Sequence, residues 1–164
     1  MTKDPLRPLL VELLTGGHAH AAPKDVLRGI RAVHVDARPS TALHSLWEEV
    51  EHLRLAQEDI LRYTLEPKWK SPPWPEGYWP TAPCGNVKRF RASVKAFLSD
   101  LERLAAVARD PAVDLHAPIA HAVKRSDGSA PHSPLREILL AADHNAYHLG
   151  QIVSLRKLLG AWPK

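Results

Sequence analysis

The sequence predicts an all-α protein, a four-helix bundle with long crossover connections, and three observations carry that reading. Four segments place apolar residues at spacings of three and four, the period of a helix buried along one face. Two of the connections between them run to about twenty residues, too long for tight up-and-down turns. No stretch alternates apolar and polar residues well enough to build a sheet, and no segment repeats another.

The first helical segment runs from Pro5 to Leu14, breaks at Thr15-Gly16-Gly17 and resumes from His20 to Ile30. Pro5 and Pro8 fit only in its first turn, where the missing amide hydrogen costs nothing. The second segment, Ala42 to Leu65, is entered through Pro39-Ser40-Thr41, whose hydroxyls can cap the free amides. Its apolar stripe is Leu43, Leu46, Val50, Leu53, Ile60 and Leu61, with Trp47 at the edge. Glu48, Glu49 and Glu51 crowd its first turns, as the helix dipole favours. The third segment, Asn86 to Ala108, turns Phe90, Val94, Phe97, Leu98, Leu101 and Leu104 inward and stops before Asp110-Pro111. The fourth opens with Ser133 as cap and Pro134 at the first helical position, continues to Leu159, and closes at Gly160.

The connection EPKWKSPPWPEGYWPTAPCG joins the second and third segments and holds three of the five tryptophans. A floppy linker would not be this aromatic, so it is expected to pack back as an ordered flap or to form part of an interface. The connection from Asp110 to His132 contains two short apolar patches, Val113 to Leu115 and Pro118 to Val123.

At 164 residues the chain is expected to form one domain, 1–164. No apolar run approaches the roughly 20 residues of a membrane span, and the N-terminus lacks the unbroken apolar stretch of a signal peptide, so the expected address is the cytoplasm. The single cysteine, Cys84, excludes a disulfide framework and a cysteine-based zinc site, and reads as a passive loop thiol. The formal charge of +4 is interspersed along the chain, which argues against nucleic acid as a partner despite a pI near 9.4. The 10 histidines are the unusual feature and point toward metal chemistry.

In ADHNAYHLGQ, His144 and His148 lie four residues apart on a seam with Ala141, Ile152, Leu155 and Leu159. Four residues leave an angular offset of about 40°, so both rings can converge on one ion. The spacing is that of H-E-x-x-H zinc proteases, but Asn145 stands where the glutamate base would be, and the protease reading fails. Two histidines rarely hold a catalytic metal alone. His52 in WEEVEHLRLAQ is the candidate third ligand, although its stripe lies beside the main apolar face and suits a solvated residue as well. His44 is the runner-up. His18 and His20 read as loop or substrate-side residues, His116, His121 and His132 as surface residues, and His34, between valines, as packing. Among neighbours that orient imidazoles, Gln151 is the better placed, while Asp143 and Glu51 point toward another helix or solvent. Arg54 and Gln57 are open to a substrate-contacting or a core-edge role.

The pairing of WEEVEHLRLAQEDIL with REILLAADHNAYHLGQIVSLRKLLG, together with LLTGGHAH and the SPPWPEGYWP loop, resembles the DinB-like (damage-inducible protein) four-helix superfamily. The resemblance implies an antiparallel bundle with a three-histidine site for a divalent metal, carried here onto His52, His144 and His148. It also implies frequent homodimers. Some relatives are metal-dependent transferases of low-molecular-weight thiols, or a thiol-dependent isomerase; many have no assigned reaction. The expectation is a metal-dependent enzyme using zinc, nickel, iron or manganese, and in some cases a low-molecular-weight thiol. It would activate thiol or water for attack on a small-molecule electrophile, as a thiol transferase or hydrolase. The alternative is a non-catalytic, stress-related dimeric bundle with a structural or vestigial metal.

Overall fold

The computed structural model describes residues 4–122 and 128–163, and among them every regular element is helical. Four longer helices make the bundle: α1 (Leu6–Thr15), α4 (Leu46–Leu65), α5 (Val87–Arg109) and α6 (Pro134–Leu158). Two short helices, α2 (Pro23–Leu27) and α3 (Ala32–Val35), lie between α1 and α4, and a single 3-10 turn, Glu76–Tyr78, lies between α4 and α5. The break at Gly16-Gly17 falls as expected, but helix resumes only over Pro23–Leu27, shorter than the His20–Ile30 expected, and a further short helix, Ala32–Val35, follows beyond it.

Local chemistry sets the ends. α4 begins four residues later than its apolar period suggests, because Ser45 rather than Ser40 or Thr41 is the cap. Ser45 Oγ accepts from the Glu48 amide at 3.2 Å while Glu48 Oε2 accepts from the Ser45 amide at 2.7 Å, a reciprocal capping box. Leu43 therefore lies outside the helix and is exposed. Ser133 caps α6 as the sequence suggests, and Asn86 caps α5, its side chain accepting from the Arg89 amide. Gly160 ends α6 in the left-handed region, φ 64°, with its N–H donating to the Lys157 carbonyl.

Side-chain contacts fix the helix directions. His148 meets Glu49 and Asn145 meets Gln57, so residue numbers fall along α6 as they rise along α4, and the two run antiparallel. Arg7 at the start of α1 donates to the carbonyls of Ala108, Asp110 and Val113 around the end of α5, which sets that pair antiparallel too. Glu51 meets Ser93, each near the start of its helix, so α4 and α5 run parallel. A parallel pair requires the chain to return the length of a helix, about 30 Å for twenty residues. The long connection 66–86 does this.

Trp47 does not sit at an edge: its side chain is fully buried among the start of α4, the end of the connection and Arg89, whose guanidinium lies 4.6 Å from the ring. Phe90, Phe97, Leu101 and Leu104 of α5 are buried as expected, whereas Val94 and Leu98 are only partly covered. Of the two apolar patches in the second connection, Leu115 and Ile119 are buried, and Val123 lies outside the described residues. No helix is long and apolar enough to cross a membrane among the described residues.

Candidate metal centre

The antiparallel contact of α4 and α6 brings together His52, His144 and His148, the three candidates, with one ring nitrogen from each lying within 4.8 Å of the others. His52 and His148 are buried and His144 is half-buried. His52 is thus not solvated, though its helical stripe allowed it: residues of the 66–86 connection cover that side of α4.

Two of the rings are held by their far nitrogens. His52 Nδ1 donates to the Tyr78 carbonyl at 2.8 Å, and His148 Nδ1 donates to Glu49 Oε2 at 2.8 Å. A proton fixed on Nδ1 leaves Nε2 as a bare lone pair, the form a metal ligand needs. His144 Nε2 stands 3.0 Å from His52 Nε2, so two ligand atoms of facing helices point at one another. Burial, and then the charges that His148 and His52 would carry, hold the His144 pKa down to about 4 from an ordinary 6.5. Burial also lowers the pKa of His52, against the Tyr78 carbonyl, which raises it. Both rings are neutral near pH 7, as ligation requires.

This donor set fits a divalent first-row ion. Three neutral imidazoles, two with the proton-accepting partners typical of metal-bound histidine, suit zinc, nickel or iron; a tetrahedral ion with bonds of roughly 2.1 Å holds its nitrogens about 3.4 Å apart, against 3.0 Å between His52 and His144 and no more than 4.8 Å across the set.

The connection 66–86 forms one wall. Trp79 lies flat on His52, ring centroids 4.0 Å apart at 5°, with His44 stacked on its other face at 4.4 Å. The path is pinned by Asp59, which accepts from both Trp69 Nε1 and the Tyr78 hydroxyl at 2.7 Å. Trp47 Nε1 donates to the Ala82 carbonyl, Asp36 accepts from the Cys84 and Gly85 amides, and the Arg62 guanidinium lies 3.6 Å from the Trp69 ring centroid. At Gly77 a Cβ would come within 2.5 Å of Pro72, so only glycine lets the loop close there. The loop packs back on the bundle as the ordered flap that was one of its two expected roles.

Beside the histidines a cleft of about 280 Å³ is lined by Ala42, Leu43, His44, Glu49, Trp79, Tyr147, His148, Gln151 and Leu155. Gln151 therefore faces the cleft, and the imidazole-holding place expected of Gln151 is taken by Glu49, which the sequence alone places only in the first turn. Glu51 serves another helix, accepting from Ser93 and pairing with Arg54. Arg54 is tied to Glu51 and Glu58, and Gln57 is buried against Asn145, so both take the core-edge role. Asp143 is exposed, and His44 belongs to the cleft rim rather than to the ligand cluster. His18 and His20 line a different depression with Leu9, Glu12, Leu13 and Gly16. His116 and His121 are exposed, but His132 is half-buried and bonds Glu137 at 2.7 Å. His34 is not packed between its valines; it bonds Arg31. Cys84 is buried, its thiol donating to the Asn86 carbonyl, and burial pushes its pKa up.

A helical bundle with a parallel crossover and an interhelical histidine triad defines a class of protein capable of holding a metal. The family model described as the DinB superfamily matches residues 19–152, which include all three histidines, and the chain belongs to that superfamily. No curated protein and no solved structure matches the chain.

Proposed function

We propose that this protein is a metal-dependent enzyme in which His52, His144 and His148 hold one divalent ion, with a small electrophile bound in the adjoining cleft. The observation that carries the reading is the pair of Nδ1 donations, to Glu49 and to the Tyr78 carbonyl, which leave Nε2 of both rings as the unprotonated nitrogen, that of His52 standing 3.0 Å from His144 Nε2. Three protein ligands leave room for one or more exchangeable ones, and a bound ion supplies the charge that lowers the pKa of a coordinated water or thiol toward neutrality.

The chain's own residues do the rest. Trp79 shields His52 from solvent, Glu49 holds His148, and Gln151 and His44 present polar groups to whatever lies between Tyr147 and Leu155. Thiol transfer and hydrolysis both need this arrangement, and a panel of low-molecular-weight thiols offered with a generic electrophile distinguishes them.

Elemental analysis of untagged protein is the first test. About one equivalent of divalent metal is expected in the wild type and its loss in His148→Ala; a wild type that takes up none after reconstitution ends the enzyme reading. The homodimer suggested by the family belongs to the same proposal, and sedimentation equilibrium reads it directly.

A further inference from the structure

Three buried side-chain atoms around the triad have no hydrogen-bond partner among the described residues: His144 Nδ1, Asn145 Oδ1 and Gln57 Nε2. A buried polar atom left without a partner is destabilising, so three in one cluster ask for a reason. They are linked. Asn145 Nδ2 donates to Gln57 Oε1 at 2.9 Å, both residues are buried, and Asn145 directly follows His144 in α6.

The chemistry of the triad makes this cluster informative. The proton on His52 Nδ1 is committed to Tyr78, so in the absence of an ion His144 Nε2, 3.0 Å away, carries the hydrogen and donates to His52 Nε2. His144 Nδ1 is then an acceptor and calls for an N–H. When Nε2 is a metal ligand the hydrogen moves to Nδ1, which then calls for an oxygen. A side-chain amide offers both ends, and the Asn145–Gln57 pair keeps its mutual hydrogen bond in either orientation, with Asn145 Nδ2 donating to Gln57 or Gln57 Nε2 donating to Asn145.

We propose that Asn145 is a positioning residue that selects the tautomer of His144, with Gln57 as the counterpart that turns with it. In the first orientation Asn145 Oδ1 accepts from His144 Nδ1–H and Nε2 is free to ligate. In the second, Asn145 Nδ2 donates to Nδ1 and the triad closes on itself through its Nε2–Nε2 hydrogen bond. This rests on the reading that the triad holds a metal, and it gives the third histidine the partner that Glu49 and Tyr78 give the other two.

The test uses the full chain, zinc as the probe, chelator competition for affinity and ¹⁵N-histidine NMR for the tautomer. Asn145→Leu should weaken zinc binding about 10- to 100-fold, the usual effect of removing a ligand's partner. Asn145→Asp, which can only accept, should bind at least as tightly as the wild type and move the metal-free His144 hydrogen from Nε2 to Nδ1. Gln57→Glu, also acceptor-only, should fix the amide in the ligating orientation and tighten binding; this variant and the wild-type spectrum carry the test if Asn145→Leu fails to fold. Zinc bound equally tightly by Asn145→Leu, or a metal-free wild type with the hydrogen already on Nδ1, overturns the inference while leaving the metal site intact. No zinc uptake by the wild type overturns both.

Discussion

At the scale of single residues, Glu49 is the side chain on which the triad leans most. Its carboxylate fixes both the orientation and the tautomer of His148, and Glu49→Ala should lower metal affinity about 10- to 100-fold by chelator competition, with little change in helix content by circular dichroism. The three histidines were legible from sequence to unequal degrees. His144 and His148 declare themselves by spacing within an apolar seam; His52 lies off the main stripe of α4, and the shield that buries it comes from a loop no helical period describes. Glu49 carried a signal that went unread. It precedes His52 by three residues and so shares its face, but its place in the first turn gave it an ordinary explanation as a partner of the helix dipole. Asn145 was counted only as the residue that spoils a protease motif.

At the scale of elements, α4 and the connection 66–86 behave as one unit. The Ser45 capping box fixes where the helix starts, and Ser45→Ala should destabilise the protein by about 1 kcal/mol in urea titration. The loop is held to the far part of the same helix by Asp59. Asp59→Ala removes the acceptor of two half-buried donors, Trp69 Nε1 and the Tyr78 hydroxyl, so cleavage within 66–86 in limited proteolysis should speed up and metal affinity should fall as the Tyr78 carbonyl drifts from His52. The four bundle helices were readable because each pairs an apolar period with a cap or a stop. The start of α4 was misplaced because Leu43 continues the apolar period into a stretch where the capping geometry does not allow helix. The order of the loop was anticipated from its aromatic content, but its attachment points were not, since hydrogen bonds to Asp59 and to main-chain carbonyls leave no periodic trace.

At the scale of the whole molecule, the triad joins positions some ninety residues apart in the chain, so it exists only when the bundle has closed. Metal binding and global stability are therefore linked, and saturation at a hundred times the dissociation constant should add roughly 2.7 kcal/mol to unfolding. The metal-stripped protein should show the opposite side of the same linkage. His144 has a folded pKa below its ordinary 6.5, so in falling pH the unfolded chain takes up its proton first. The stability present above pH 6.5 should then be lost progressively toward pH 4, by no more than about 3 kcal/mol from this ring, in denaturant titrations run with chelator. The parallel setting of α4 and α5 has a reach beyond topology. It obliges a long return strand, and that strand supplies the partner of His52 from its main chain, an atom every amino acid possesses. In a saturation scan of this protein, any sensitivity of residue 78 should therefore come from losing the hydroxyl bond to Asp59, not the carbonyl that holds His52. It should mark Asp59, Trp69 and Gly77 as sensitive although none is a candidate ligand, so that a map of loss of function traces the route of the backbone as much as the outline of the site.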